Sequence, residues 1–159
     1  MQVEIKKLSE DAQLPTRGSE KAAGYDLRMS QSTTIELNKE NTDILMGILK
    51  IKPHETVKVG TGLAAKIPDG YFGAIYARSG LATKQGLRPA NAVGVIDSDY
   101  RGELIVALHN DTDKEQTIKT GDRIAQLVVM PYLPVEFTEV DTLDETERGA
   151  GGFGSTGAN

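Results

Sequence analysis

Two carboxylates, a tyrosine, an arginine and a glycine stand together at Asp97-Ser-Asp-Tyr-Arg-Gly102, directly after the small and apolar run Ala92–Ile96. Strand interiors disfavour Asp, and a carboxylate held beside buried Val95 and Ile96 costs free energy unless it is paired or put to use. Asp97 is therefore a candidate general base, and a hairpin with a polar tip is the plain alternative. A calcium loop does not fit, because Arg101 occupies a ligand position and the terminal Glu is missing.

Three other places carry groups of the same kind. Arg78 and Ser79 open a predicted helix, with Ser79 as N-cap, Gly80–Gln85 as the helix and Gly86 as the residue that ends it. Free N–H groups at a helix start, beside a guanidinium and a hydroxyl, suit a phosphate; a simple cap and a surface charge are the alternative. Asp26 in Ala22–Arg28 and Gln126 in Gly121–Leu127 are polar groups in apolar strand settings, and backbone hydrogen bonds alone could satisfy either. The tail Arg148–Gly157 contains a formal G-x-G-x-x-G from Gly149 to Gly154, but no helix can follow it and no G-K-[ST] is present. Its one aromatic, Phe153, with Arg148, Ser155 and Thr156 among glycines, suits an arm that folds over a nucleotide. An unstructured tail is the alternative.

These groups need a scaffold, and the rest of the chain predicts a β one. Short β-branched or alternating runs recur at Val3–Leu8, Thr33–Leu37, Ile44–Ile51, Thr56–Ile67, Tyr71–Tyr76, Leu104–Leu108, Gln116–Ile118, Ile124–Met130 and Val135–Val140, with turn residues between them. That spacing points to an all-β sandwich, jelly roll or barrel with one short helix. The 159 residues suit a single domain over 1–140, followed by an acidic and then glycine-rich arm over 141–159; residues 38–43 read as a loop. A net charge of −5 argues against a nucleic-acid partner but not against one phosphorylated ligand. There are no cysteines, and the two histidines, His54 and His109, lack ligand-spaced partners. Any metal is expected to be a hard cation held by oxygen, chiefly substrate phosphate. No signal peptide and no span of a bilayer are expected, which makes the cytoplasm the default location and leaves no membrane partner.

Taken together, AAGYDL at 22–27, RSGLA at 78–82, NAVGVIDSDYRGE at 91–103, GDRIAQL at 121–127 and RGAGGFGSTG at 148–157 resemble the five ordered motifs of the trimeric deoxyuridine triphosphatase (dUTPase) family. Two departures stand out: Ala77 precedes Arg78 where Pro or Gly is more usual, and the 38–49 region is longer than in compact members. The resemblance implies a jelly-roll-like β subunit, a homotrimer with sites shared between subunits, and Mg²⁺-dependent hydrolysis of dUTP to dUMP and pyrophosphate. It implies that Asp97 activates the attacking water, and that Asp26, through water, and Gln126 serve the metal and phosphates. Arg78, Ser79 and Gly80 would grip the phosphates. Asn91 and the backbone of Gly94, Val95 and Ile96 would read the uracil edge, and Tyr100 would exclude a 2′-hydroxyl. From the arm, Phe153 would stack on uracil, while Arg148, Gly154, Ser155 and Thr156 would close over it and the terminal phosphates. A dCTP deaminase shares this fold but favours R-S-S-x-x-R where this chain reads RSGLATK. A nucleotide-gated binding protein is a third reading, with the 38–49 insertion as the surface for an extra protein partner.

Overall fold

The computed structural model describes residues 1–38 and 44–152. In chain order the elements are β1 (Glu4–Lys7), β2 (Thr16–Arg17), β3 (Tyr25–Arg28), α1 (Gln31–Leu37), β4 (Ile44–Leu45), β5 (Ile48–Ile51), β6 (Thr56–Lys66), β7 (Tyr71–Tyr76), α2 (Ser79–Gln85), β8 (Leu87–Pro89), β9 (Gly94–Ile96), β10 (Glu103–Asn110), β11 (Gln116–Lys119) and β12 (Arg123–Pro131). They form three sheets, in the orders β1-β6-β10-β8, β11-β5-β4 and β2-β3-β12-β7-β9. The paired strands whose registers are defined run antiparallel throughout. The sheets keep open edges among the described residues and do not close into a barrel, since β1, β8, β4, β11, β2 and β9 each lack a neighbour on one side.

Alternation does most of the positioning. In β10 every second residue, Leu104, Val106, Leu108 and Asn110, points inward, the period of two that a half-buried strand requires. These side chains meet Leu63 from β6, Leu27 from β3 and Ile124 from β12, all fully buried. Asn110 is the one fully buried amide side chain among the described residues, with 0% of its surface exposed. Its Nδ2 donates to the carbonyls of Ile51, Lys52 and Lys114 at 3.0, 3.0 and 2.8 Å, and its Oδ1 accepts from Thr112 N and Oγ1. That network joins the end of β10 to the turn after β5, which a buried amide must do to avoid a desolvation cost.

Three expectations from the sequence are corrected. There are two helices rather than one, because Thr33–Leu37, expected as a strand, belongs to α1. The β-branched Thr33-Thr34-Ile35 favours extended backbone, but a distant carboxylate overrides it. Ser30 sits at the N-cap without a side-chain cap bond; Asp11 supplies the cap instead, accepting Gln31 N at 2.6 Å, Ser32 N at 3.4 Å and Ser30 Oγ at 2.9 Å. Burial pushes the Asp11 carboxyl up, but hydrogen bonds from Ser9, Ser30 and Ser32 together outweigh it and bring its pKa down to about 2. The expected strand Val135–Val140 does not form: these residues join no sheet among the described residues, and Phe137 is 95% exposed. Finally, Ser79 is the first residue of α2, and Arg78 takes the N-cap place. Gly86 ends α2 in the left-handed region at φ 65°, as expected. Most of the 38–43 loop lies outside the described residues. No described helix is long and apolar enough to cross a membrane.

Candidate active site

The Asp97 hairpin grows out of β7. Pairing of Gly73 with Ile96, Ala74 with Val95 and Ile75 with Gly94 carries β9 to the sheet edge, where the chain leaves at Asp97. Tyr100 N–H donates back to the Asp97 carbonyl at 3.2 Å and closes the turn. Arg101 Nη1 donates to the Ser98 and Tyr100 carbonyls at 2.6 and 2.9 Å, so this arginine staples the turn. The Tyr100 hydroxyl donates to the Glu103 carbonyl at 3.1 Å. Along the hairpin lies a cleft of about 260 Å³ whose walls include Asn91, Gly94, Val95, Ile96, Asp97 and Tyr100. All six are residues the sequence singled out.

The setting of Asp97 differs from the expectation. Val95 is 60% exposed and Asp97 is exposed as well. β9 is the outermost strand of its sheet, so no described strand pairs with its free side. The carboxylate is therefore not held beside buried Val95 and Ile96 by this chain alone.

A second group of residues gathers on the far side of β7. β12 lies between β3 and β7, and its Gln126 is level with Asp26 on one side and Tyr76 on the other. Asp26 is 8% exposed. Its Oδ1 accepts Arg78 Nε at 2.7 Å and its Oδ2 accepts Arg123 Nη1 at 3.1 Å, so two guanidiniums hold one carboxylate. Gln126 Nε2 donates to the Ala77 carbonyl at 2.9 Å, fixing the strand-to-helix connection that carries Arg78. Arg78, Gly80, Lys84 and Arg123 line a groove of about 300 Å³, with Ser79 beside them at the start of α2. Sequence reasoning missed Arg123. A shift in register between Arg123 and Ala125 breaks the alternation of β12 there, so counting by twos could not pair Arg123 with Asp26. Lys84 had a weak signal only, being one turn beyond Gly80 on the same short helix.

Arg148 is exposed and donates from Nε to the Gly151 carbonyl at 2.9 Å, within its own arm. Phe153, Gly154, Ser155 and Thr156 lie outside the described residues. The cleft and the groove share no lining residue. Each has its own chemistry: an exposed carboxylate with backbone donors and acceptors in one, and three cations, Arg78, Lys84 and Arg123, in the other, two of them paired with Asp26.

No cluster of three or more His, Cys, Asp or Glu able to cage a metal occurs among the described residues. Asp26 offers hard oxygen donors suited to Mg²⁺, but both oxygens already accept from arginine. This donor set fits a cation carried by phosphate and met by Asp26 through water, and it does not fit a metal caged by protein.

A family model described as dUTPase matches residues 46–157. The deoxyuridine 5'-triphosphate nucleotidohydrolase of Desulfitobacterium hafniense (strain DSM 10664 / DCB-2) is 49% identical over 147 residues, covering 92% of this chain and 88% of that protein. That of Paramecium bursaria Chlorella virus 1 is 43% identical over 153 residues and 96% of both chains. A solved structure of Staphylococcus bacteriophage 80alpha dUTPase with dUPNHPP superposes with a TM-score of 0.81 at 28% identity, covering 98% of each chain. With the motifs, the antiparallel sheets and the matching relatives agreeing, this chain belongs to the dUTPase family.

Proposed function

We propose that this chain, a dUTP diphosphatase by family, works as a homotrimer and cleaves dUTP to dUMP and pyrophosphate by in-line attack of water on the α-phosphorus, with Mg²⁺ on the triphosphate. The observation that carries the shared site is the separation of the cleft from the groove. Asp97 and the base-reading residues line one, the phosphate-gripping residues line the other, and no lining residue is common to both. Cyclic symmetry solves that problem by setting the cleft of one subunit against the groove of the next.

In this reading Asp97 takes the proton of the attacking water. Its place at a strand end, once covered by a neighbour, would become the low-dielectric setting that a general base needs. Asn91 and the Gly94–Ile96 backbone pair with the uracil edge, and Tyr100 occupies the space of a 2′-hydroxyl. Arg78, Ser79, Gly80 and Arg123 receive the phosphates. Asp26 and Gln126 order the waters around them. When bound, Mg²⁺ offsets the charge of the pyrophosphate leaving group. The arm brings Phe153 onto the base, and Arg148, Gly154, Ser155 and Thr156 close over it and the terminal phosphates. An extra protein partner remains an added role for the 38–49 region, where Leu45 and Met46 at the tip of the β4–β5 hairpin are exposed.

Subunit mixing tests this. Asp97→Ala chains and chains truncated before Arg148 are unfolded together, refolded and assayed for pyrophosphate release from dUTP. Each parent is dead. With equal input and closed threefold symmetry, about three-quarters of trimers are mixed, each with one site drawing both intact parts, so about a quarter of the parent sites return. A mixture that refolds efficiently and stays dead overturns the shared site.

A further inference from the structure

We propose that Glu103 is a positioning residue for Tyr100, and that through it the bulge in β6 sets how strictly the site rejects a ribonucleotide. The proposal rests on the reading of Tyr100 as the residue that excludes a 2′-hydroxyl.

The ladder between β10 and β6 is interrupted just where the Tyr100 hydroxyl attaches. Glu103 pairs with Ala64 and Ile105 with Gly60, so between them one residue of β10, Leu104, is set against three of β6, Thr61, Gly62 and Leu63. Gly62, within the surplus, takes φ 66°, a conformation that side chains resist. The bulge frees backbone groups that must find other partners. The Leu104 carbonyl accepts the Thr61 hydroxyl at 2.7 Å. The Gly62 N–H donates to Glu103 Oε1 at 2.7 Å. One side-chain bond thus replaces a missing rung, and it does so at the residue whose carbonyl holds the Tyr100 hydroxyl.

The other side of the bulge is firmly anchored. Leu8 N donates to the Gly62 carbonyl at 2.7 Å and Ser30 N to the Gly60 carbonyl at 2.9 Å. Thr34 Oγ1 both donates to Gly60 O and accepts from Gly60 N, at 3.3 and 3.0 Å. The Asp11-capped α1 is therefore strapped to the strand that Glu103 grips from the hairpin side. Tyr100 has little freedom of its own: its ring lies so close over Gly102 that a Cβ there would collide with it. If the Glu103 side-chain bond is lost, Gly62 N–H is orphaned, the hairpin root loosens, and the Tyr100 ring no longer holds one height over the cleft.

The test compares kcat/KM for dUTP and UTP, by pyrophosphate release, in the full chain and in Tyr100→Ala, Glu103→Ala, Glu103→Asp and Glu103→Gln. Glu103→Ala is expected to lower the preference for dUTP by about fivefold, the scale of one lost hydrogen bond, chiefly by raising kcat/KM for UTP. Glu103→Asp, too short to reach Gly62 N, is expected to do the same and serves if the alanine chain does not fold. Glu103→Gln keeps an amide oxygen at the acceptor position and is expected to hold the parent preference within about twofold. If Tyr100→Ala lowers the preference while Glu103→Ala and Glu103→Asp leave it unchanged, the positioning role is wrong. Equal loss in Gln and Ala also overturns it, since charge rather than the bond to Gly62 would then matter. If Tyr100→Ala itself leaves the preference intact, the reading of Tyr100 fails first and this proposal falls with it.

Discussion

The cleft along β9 and the groove at the start of α2 are built in opposite ways. In the cleft, side chains are held by main-chain atoms: Tyr100 by the Glu103 carbonyl, Arg101 by two carbonyls of its own turn, and Asp97 by nothing stronger than its place at a strand end. In the groove the charges hold one another, with Asp26 clasped by Arg78 and Arg123. The difference teaches how each half meets a nucleotide. The cleft is ready as it stands and needs covering. In the proposed reading, the groove would set phosphate oxygens beside guanidiniums that Asp26 already holds, so the cations would meet the substrate with their positions fixed.

The largest effect should separate rate from fold. Asp97→Asn is expected to lose turnover by roughly 10²–10⁴-fold while dUTP affinity and melting temperature stay near the parent values, as for an exposed general base. Turnover within tenfold of the parent would remove Asp97 from that role.

The matching change in the groove should do the reverse in the free protein. Asp26→Asn leaves two cations facing a neutral amide and is expected to cost about 2 kcal/mol of stability, discounted for the partial exposure of Arg123. Chemical denaturation reads this directly, and an unchanged midpoint would mean the clasp contributes nothing.

The role proposed for the arm calls for a test apart from either half. Phe153→Ala should weaken dUTP-analogue binding by about 1–3 kcal/mol, the range for stacking a base on an aromatic ring, with no shift in the melting temperature of the free chain. A lowered melting temperature would place Phe153 in the core.

The smallest effect tests the strap behind the cleft. Asp11→Ala should cost about 1 kcal/mol near neutral pH, the usual cost of losing a helix cap. Because folding lowers the Asp11 pKa from 3.8 to about 2, that stability is fully present above the ordinary value and is lost as pH falls through the lower one. Parent and variant unfolding curves should therefore converge in strong acid; a constant gap down to that pH would rule out the carboxylate as the cap.

Much of this is legible in the sequence. Tyr71–Tyr76 forms a strand with the boundaries its alternation gives, β10 and β12 extend their apolar runs by one or two residues at each end, and β6 stops one residue short of the expected Ile67. Gly86 ended its helix for a reason visible in one residue. What sequence could not supply were relations across distance. Helix α1 depends on an aspartate some twenty residues away, Arg123 reaches Asp26 only because β12 slips register, and Val95 lies exposed because its strand is the last in a sheet. The 135–140 run has the right alternation for a strand, but alternation supplies no neighbour to pair with.

Asn110 gives the molecule a chemical clock. Its buried amide nitrogen faces three carbonyl oxygens, of Ile51, Lys52 and Lys114. Hydrolysis of that amide would replace its NH2 group with an oxygen, setting a negative charge against the three carbonyl oxygens it now donates to. The same burial keeps out the water such ageing needs. Chemical ageing at this position is therefore expected to wait on the end of β10 opening, which would tie the residue's lifetime to local unfolding.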